Sequence, residues 1–360
     1  MQIGFVGLQF SGKTTLFHTL TKSDRNDTSV KKDEAAIEVV KVPDERLDQL
    51  SQIFNPKKQV NATIEVFDFP GLRTGDDNKI KITSEFLNNV RNNDALFYII
   101  REFDNPSVPH PLGSIDPLRD IKFLESEFIF SDLAFVENRI EKLKKDIMRI
   151  KDDKLKLELA LIEKCHQILE AEKPLRSSNF SDDEKKILSG FQLLTNKPLS
   201  VAINFGENSI GKIANVIDEI KKGFTYGITE PIPFFAETEY ELSKMNPEDQ
   251  EEFMKEFGIK ESALSKILKT SYEILGLQSF FTFGEKECHA WTIRKNDNAH
   301  QAAGVIHSDF YERFIRAEVV HFEDFLKYKS MAKCKEAGAW RLEGKEYIVQ
   351  DGDLLVIRHN

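Results

Sequence analysis

The sequence predicts an α/β protein with a Rossmann-like, mainly parallel sheet, an inserted antiparallel helical arm and a small C-terminal domain. Three observations predict this arrangement. Strand and helix patterns alternate over residues 1–100, two heptad seams follow, and a strand-rich segment begins after Leu277. The chain has 360 residues, of which 40% are hydrophobic and 31% charged, as in ordinary soluble proteins.

The first elements are predicted from apolar runs and helical periodicity. Near-continuous apolar runs such as residues 95–100 are typical of parallel strands that are covered on both faces. The predicted elements are strand 2–6, helix 13–21, strands 36–42 and 62–68, helix 79–91 and strand 94–100. After the arm the pattern resumes with strand 198–204, helix 210–222, strand 232–236 and helical patterning over 249–275.

Two apolar seams predict the helical arm. Their members recur at alternating spacings of three and four residues, which is the heptad pattern of packed helices. The first seam is Leu133, Val136, Ile140, Leu143, Ile147 and Ile150, and the second is Leu155, Leu159, Ile162, His166 and Leu169. A polar break at 151–153 separates them, so we expect an antiparallel hairpin that packs against itself.

The tip of this arm is basic, although the whole chain has a net charge of −10. Residues 138–156 contain eight Lys or Arg and four Asp or Glu. Such a patch can contact phosphates, and a solvated helix surface is the alternative.

Beyond Leu277, strands are expected at 290–293, 347–349 and 354–357. The last two flank Asp351-Gly352-Asp353, which is a hairpin signal. This segment therefore predicts a small separate α+β domain.

A phosphate-binding loop lies between the first strand and the first helix. The residues of Gly7-Leu8-Gln9-Phe10-Ser11-Gly12-Lys13-Thr14 have the P-loop spacing. In this motif backbone N–H groups and the helix N-terminus hold phosphates, Lys13 reaches the β and γ phosphates, and the Thr14 hydroxyl ligates Mg²⁺. The predicted nucleotide contacts here are Gly7, Gln9, Phe10, Ser11, Gly12, Lys13, Thr14 and Thr15.

A second motif places an acid at the end of the strand 62–68. Asp68 is followed after two residues by Gly71, and in switch-type NTPases these residues serve Mg²⁺ and the γ-phosphate respectively. Leu72 stands where many GTPases have a glutamine that positions the attacking water. Because leucine cannot form that hydrogen bond, we expect hydrolysis to be slow or assisted from elsewhere.

The nucleotide base is expected at the end of strand 198–204. The sequence has no Asn-Lys-x-Asp for reading guanine, and Asn204-Phe205-Gly206-Glu207 stands at the corresponding strand end. We therefore predict Asn204, Phe205 and Glu207 as base contacts and ATP as the nucleotide. A true GTPase, and a scaffold that nucleotide merely stabilises, stay open as alternatives.

These motifs and the C-terminal segment, with Ala290-Trp291-Thr292-Ile293-Arg294 and residues 301–310, resemble the YchF or Obg-like ATPase family. The resemblance covers essentially the whole chain. It implies an ATPase with a ubiquitin-like β-grasp (TGS) domain at the C-terminus. It also implies association with ribosomes through the groove between the arm and that domain.

The predicted domains are therefore a nucleotide-binding domain at 1–117 and 198–276, the arm at 118–197 and the TGS-like domain at 277–360. We expect ATP and Mg²⁺ as cofactors and a cytoplasmic protein. The expected partner is either or both ribosomal subunits, with RNA contact through the arm and the TGS-like domain, and neither a membrane nor DNA is expected.

The resemblance also implies a catalytic histidine. The family has a histidine on the loop after the fourth strand that is thought to assist hydrolysis, and His110 occupies that position. The predicted catalytic residues are thus His110, Lys13 and Gly71. The chain departs from the family at Phe10, where an asparagine that helps to bind a monovalent cation is usual. It also departs in the first switch, where no threonine occupies the Mg²⁺-sensing position and Thr28 is not predicted to replace it.

Overall fold

The structure is a computed structural model that describes residues 1–23, 35–72, 80, 82–150, 152–226, 229–256 and 261–360. It contains two compact units, residues 1–38 with 65–267 and residues 39–64 with 268–360. None of the helices in these ranges has the length and apolarity that a membrane span requires.

The described strands and helices follow the order of the chain. The strands are β1 (Gln2–Val6), β2 (Ala36–Lys41), β3 (Lys58–Val60), β4 (Thr63–Asp68), β5 (Ala95–Glu102), β6 (Leu199–Phe205), β7 (Ile232–Phe234), β8 (Leu277–Thr282), β9 (Glu287–Arg294), β10 (Phe314–His321), β11 (Arg341–Glu343) and β12 (Asp353–His359). The helices are α1 (Lys13–Thr21), α2 (Glu45–Phe54), α3 (Ser84–Arg91), α4 (Pro117–Arg149), α5 (Asp153–Glu170), α6 (Asp182–Ser189), α7 (Ile213–Gly223), α8 (Ala236–Lys244), α9 (Pro247–Glu256), α10 (Ala263–Ile274), α11 (Ala299–Ile306), α12 (Ser308–Glu312), α13 (Phe322–Tyr328) and α14 (Met331–Glu336).

A sheet of order β2-β4-β1-β5-β6-β7 confirms the predicted parallel architecture. The pairs β1 with β4, β1 with β5, β5 with β6 and β6 with β7 are all parallel. Strand β6 is buried along its whole length, as its apolar run predicts for a strand with both faces covered. The parallel pairing brings the carboxyl ends of β1, β4, β5 and β6 to one edge, where the loops of the predicted site begin.

The arm is formed by α4 with 33 residues and α5 with 18. Seam residues such as Val136, Leu143 and Ile162 are buried in a core that the two helices share. The Asp152 side chain caps α5 by accepting a hydrogen bond from the Lys154 N–H. The predicted helical hairpin is therefore present, and its first helix begins well before the seam.

Buried charges hold the base of the arm. Asp132 of α4 is completely buried, accepts a hydrogen bond from the Thr195 N–H at 2.8 Å and pairs with Arg91 of α3 at 2.9 Å. Burial raises the pKa of Asp132, and Arg91 opposes this shift. Arg176 pairs with Glu125 of α4 and donates to the Thr195 carbonyl. Removing one partner of such a network would leave a charge buried without compensation.

The second unit has a sheet of order β11-β10-β12-β8-β9-β3. Residues 347–349 do not form a strand, and β12 pairs instead with β10 in the antiparallel and with β8 in the parallel direction. The predicted hairpin of residues 347–357 is therefore wrong. Ile348 forms an isolated bridge with Asn298 instead. Asp353 accepts hydrogen bonds from the Gln350 N–H and the Tyr347 hydroxyl, both at 2.8 Å, so these polar groups form a turn that leads into β12.

The predicted domain boundaries of 1–117 with 198–276, 118–197 and 277–360 stay a prediction. The compact units differ from them, because the arm lies within the first unit and residues 39–64 and 268–276 belong with the C-terminal segment. The physical link is β3, which pairs in parallel with β9 from Lys58 opposite Glu287 to Val60 opposite His289. Three residues of strand are too short for a sequence pattern to show this pairing.

Candidate nucleotide-binding site

The P-loop forms the turn that joins β1 to α1. This turn and the first residues of α1 contain the predicted contacts Gly7, Gln9, Phe10, Ser11, Gly12, Lys13, Thr14 and Thr15. Gly12 is the N-cap of α1 and has a φ of 89°, which favours glycine. The N–H groups of the first helical turn point towards the loop, and no side chain among the described residues caps them. Ser11 Oγ is buried without a hydrogen-bond partner among the described residues.

A buried ion pair links the two predicted motifs. Lys13 Nζ lies 3.1 Å from Asp68 Oδ1, and the two side chains are only 5% and 8% exposed. The Thr14 hydroxyl donates a hydrogen bond of 2.8 Å to Asp68 Oδ2. The register of the parallel sheet explains this meeting, because Asp68 of β4 stands opposite Phe5 of β1, just before the loop. The structure thus brings together the ammonium, hydroxyl and carboxylate that the sequence predicted as one site.

These groups fit a magnesium ion. Mg²⁺ prefers hard oxygen ligands and usually takes one or two from protein, with waters and phosphates completing the set. Thr14 supplies a hydroxyl, and Asp68 supplies a buried carboxylate whose Oδ1 has the Lys13 ammonium as its described neighbour. No cluster of three or more His, Cys, Asp or Glu side chains suited to a metal occurs in the part of the chain that the structure describes. The two oxygen donors of Thr14 and Asp68 fit an ion whose other ligands are waters and phosphate oxygens.

The segment after Asp68 is paired with the P-loop. Gln9 N–H donates to the Leu72 carbonyl at 2.9 Å, and Leu72 N–H donates to the Gly7 carbonyl at 3.3 Å. Gly71 lies so close to Gln9 that a Cβ there would be 2.9 Å from Gln9 Cα. Leu72 itself is 4% exposed and belongs to the core cluster that contains Val6. Its side chain is therefore packed in the core and is not available to a substrate water.

Asn204 connects the P-loop to α8. Its Nδ2 donates to the Ser11 carbonyl at 3.2 Å, and its Oδ1 accepts from the Ala236 N–H at 3.0 Å. A Cβ on Gly12 would lie 2.1 Å from Asn204 Nδ2, so the glycine makes room for the amide. This arrangement makes Asn204 a residue that positions the P-loop, a role that the sequence pattern did not reveal.

The two other predicted base contacts differ in environment. Phe205 is 3% exposed, and its ring lies 6.3 Å from that of Phe235 within the core. Glu207 is exposed and begins the short 3-10 helix Glu207–Lys212. Of the three, Glu207 has the accessible side chain.

His110 is held by protein groups on both ring nitrogens. Nδ1 accepts a hydrogen bond from the Leu112 N–H at 3.1 Å, and Nε2 lies 2.9 Å from Asp120 Oδ2. Burial lowers the pKa of His110, and Asp120 opposes this shift. Because Nδ1 accepts a hydrogen bond, the ring proton lies on Nε2, directed at Asp120, and the lowered pKa favours this neutral form. The sequence analysis did not predict this contact between His110 and Asp120.

Phe10 has a strained backbone. Its φ of 64° lies in the left-handed region, and its side chain is 47% exposed. Asparagine and glycine adopt this conformation at a lower cost than phenylalanine does. Thr28 of the first switch lies outside the described residues.

We expect Phe10→Asn to raise the free energy of unfolding by about 0.5 to 1 kcal/mol, because the strain is relieved and little apolar surface is lost. Urea denaturation measures this change. The control is Phe130→Asn, which replaces a 59% exposed phenylalanine within α4. A gain of equal size at Phe130, or a loss at Phe10, would contradict the prediction.

Two family models match this chain. Residues 2–127 match the model described as a 50S ribosome-binding GTPase, and residues 277–360 match the YchF-GTPase C-terminal model, described as a protein of unknown function. The ribosome-binding ATPase YchF of Bacillus subtilis is 37% identical, with 99% of this chain and 98% of that protein covered.

The chain belongs to the YchF family. Obg-like ATPase 1 of Schizosaccharomyces pombe is 36% identical, with 98% of this chain and 93% of that protein covered. The solved structure of the Schizosaccharomyces pombe YchF GTPase superposes with a TM-score of 0.86 at 35% identity, covering 99% of this chain and 97% of that one. The predicted YchF family and α/β fold are thereby confirmed. Two of these relatives are named as ATPases, whereas the solved structure is named as that of a GTPase.

Proposed function

We propose that this YchF-family chain is an ATPase that acts as a nucleotide-dependent switch and associates with ribosomes. The observation that carries the proposal is the buried arrangement of Lys13, Thr14 and Asp68 at the carboxyl ends of β1 and β4. Such an arrangement suits the binding of a nucleoside triphosphate with Mg²⁺ and has no evident use in packing.

Each group has a role in this proposal. The P-loop amides and Lys13 bind the β and γ phosphates, and Lys13 exchanges its contact with Asp68 for one with phosphate. Thr14 and Asp68 hold Mg²⁺, which when bound supplies charge neutralisation at the phosphates. Gly71 would respond to the presence of the γ-phosphate, because backbone hydrogen bonds of the next residue, Leu72, join its segment to the P-loop.

Hydrolysis is proposed to be assisted by His110. Leu72 is buried and has no group that could orient water, whereas an imidazole can accept or donate a proton near neutral pH. Strand β5 lies next to β1, so the loop that contains His110 leaves the sheet at the same edge as the P-loop.

ATP is the proposed nucleotide. The sequence has no Asn-Lys-x-Asp, and Glu207 is one methylene longer than the aspartate that accepts both guanine N–H groups. Asn204 and Phe205 would then lie beside the base at the end of β6, and the exposed carboxylate of Glu207 would contact it. The relatives from Bacillus subtilis and Schizosaccharomyces pombe that are named as ATPases support this choice.

Ribosome association is proposed from the names of the relatives and from the surface of the arm. The curated bacterial relatives are named ribosome-binding ATPases. Near the arm's tip, Met148 and Ile150 of the basic stretch 138–156 are 87% and 57% exposed, and Leu157, which directly follows that stretch, is 67% exposed. Exposed apolar groups among basic ones suit contact with folded RNA, where phosphates and unstacked bases are both presented. The C-terminal domain would supply a second contact, and the cytoplasm is the proposed location.

Titration calorimetry with ATP and GTP in the presence of Mg²⁺ tests the nucleotide. We expect ATP to bind at least about tenfold more tightly than GTP, a difference of about 1.4 kcal/mol. Glu207→Asp should narrow this preference because the shorter acid suits guanine, whereas Glu219→Asp on α7 should leave it unchanged. Absence of ATP binding, or a preference for GTP, would contradict the proposal.

Single-turnover hydrolysis with and without ribosomes tests the switch. We expect ribosomes to accelerate hydrolysis and to bind the ATP and ADP forms with different affinities. Equal rates and equal affinities would instead favour the scaffold, in which turnover is incidental.

A further inference from the structure

The contacts of His110 withhold its ring from any substrate. The side chain is only 4% exposed, and both ring nitrogens are engaged by protein groups, Nδ1 by the Leu112 N–H and Nε2 by Asp120. A ring that orients a water molecule needs one nitrogen free for it. One of the two contacts must therefore break before His110 can assist hydrolysis. The Leu112 contact lies within the loop and moves with it, so the contact that holds the ring back is the one with Asp120.

The partner that holds His110 belongs to α4, the helix that continues into the arm. Asp120 is the fourth residue of α4, and its side chain is 2% exposed. Arg119 donates to Asp120 Oδ1 through Nε at 3.0 Å and through Nη2 at 2.7 Å. The Asp120 carboxylate thus has two partners, one on the loop and one on its own helix.

The same helical turn also holds the loop. Arg119 donates to the Ser114 carbonyl at 2.6 Å and to its hydroxyl at 2.8 Å, and Asp116 caps α4 by accepting from the Arg119 N–H. The loop from His110 to Ser114 is therefore tied to the first turn of α4 at both of its ends. Displacement of this turn would loosen the whole loop.

The loop has space to move. It borders a cavity of about 570 Å³ that is lined by His110, Gly113, Ser114 and Lys212, among other residues. Gly113 has a φ of 80°, and no atom lies within 4 Å of the position of a Cβ there. The loop leaves β5, which stands between β1 and β6 in the sheet, so it is rooted at the edge that contains the P-loop.

We propose that Asp120 is a positioning residue that keeps His110 withdrawn, and that movement of the first turn of α4 releases the histidine to the nucleotide site. The arm would then control the rate of hydrolysis through this contact. This inference rests on the proposed function, in which His110 assists ATP hydrolysis. It adds a residue and a direction of control, since loss of the contact should raise the basal rate.

Single-turnover hydrolysis of the full chain tests the inference. We expect Asp120→Ala to raise the basal rate about tenfold, because a charge-assisted hydrogen bond that is lost shifts a two-state equilibrium by about that factor. Asp120→Asn keeps the size and an acceptor for Nε2–H and should give a smaller increase. The double variant with His110→Ala should lose the increase. The control is Glu170→Ala, which removes a carboxylate that lies 3.2 Å from His166, a histidine on α5.

A spectroscopic measurement keeps the test independent of turnover. In ¹⁵N-edited spectra, the His110 ring of the parent should be neutral with its proton on Nε2, and Asp120→Ala should change this signal while Glu170→Ala leaves it intact. His110→Gln identifies the signal. Thermal melting shows whether each variant is folded. If Asp120→Ala is not folded, the rate and the His110 signal are measured in Asp120→Asn instead.

The outcomes separate the two claims. A parent that hydrolyses ATP, with Asp120 variants at or below the parent rate, overturns the inference and leaves the proposed function standing. An unchanged His110 signal in Asp120→Ala also overturns the inference. A parent that binds no ATP, or never hydrolyses it, overturns the proposed function and with it the inference.

Discussion

Replacing Lys13 with alanine is expected to lower the rate of ATP hydrolysis by about 100- to 1000-fold. The ammonium is the group placed to stabilise the charge that develops on the phosphates, and loss of one such donor has this effect in other enzymes. The variant should also be less stable, because Asp68 would stay buried without its cation. We expect a loss of about 3 kcal/mol in the free energy of unfolding.

The double variant Lys13→Ala/Asp68→Asn separates these effects. It should recover much of the stability, since no buried charge is left unpaired, and none of the activity. Lys58→Ala is the control, because its pair with Glu287 is largely exposed and contributes less than about 1 kcal/mol. Urea denaturation and single-turnover assays measure both quantities. Near-parental turnover in Lys13→Ala would exclude the assigned role of the lysine.

Gly12→Ala is expected to abolish ATP binding and to lower the free energy of unfolding by about 3 kcal/mol. The new Cβ would lie 2.1 Å from Asn204 Nδ2, and the residue would keep a φ of 89°. Either the amide of Asn204 or the P-loop backbone must then move. Calorimetry with ATP and urea denaturation measure the two losses.

Gly113→Ala is a matched control for backbone strain. Gly113 has a φ of 80° and open space around the position of a Cβ, so alanine there should cost only about 1 kcal/mol. In an Asn204→Ala background the cost of Gly12→Ala should fall towards this value, because the clash is removed. Equal costs for Gly12→Ala and Gly113→Ala in the parent would show that the contact with Asn204 is unimportant.

The phosphate end of the site could be predicted because its chemistry is local. In the P-loop the backbone conformation, the helix start and the side chains that bind phosphate all lie within residues 7–14. Asp68 was also predictable, because an acid at the end of an apolar strand meets the P-loop whenever the two strands are neighbours. The family resemblance added the histidine, which no local pattern would have identified.

The contacts of Asn204 and His110 could not be predicted. Asn204 meets Ser11 from 193 positions away, and Asp120 meets His110 across the start of a helix whose register a sequence pattern does not define. Helix α2 was missed, although Asp44 caps it through the Arg46 N–H and its buried residues Leu47 and Leu50 are three apart. Ten residues with two buried positions give a weak periodic signal.

The position of the arm in the chain has a mechanical consequence. It is inserted between β5 and β6, neighbouring strands that both end at the nucleotide edge. With 33 residues, α4 is about 50 Å long, and it connects the turn that holds the His110 loop to the tip of the arm. The buried contacts of Asp132 anchor the helix near its middle, so a rotation of roughly 5° about Asp132 would move each end, about 25 Å away, by about 2 Å in opposite directions. A large assembly that displaces the tip of the arm would therefore also displace the turn beside His110.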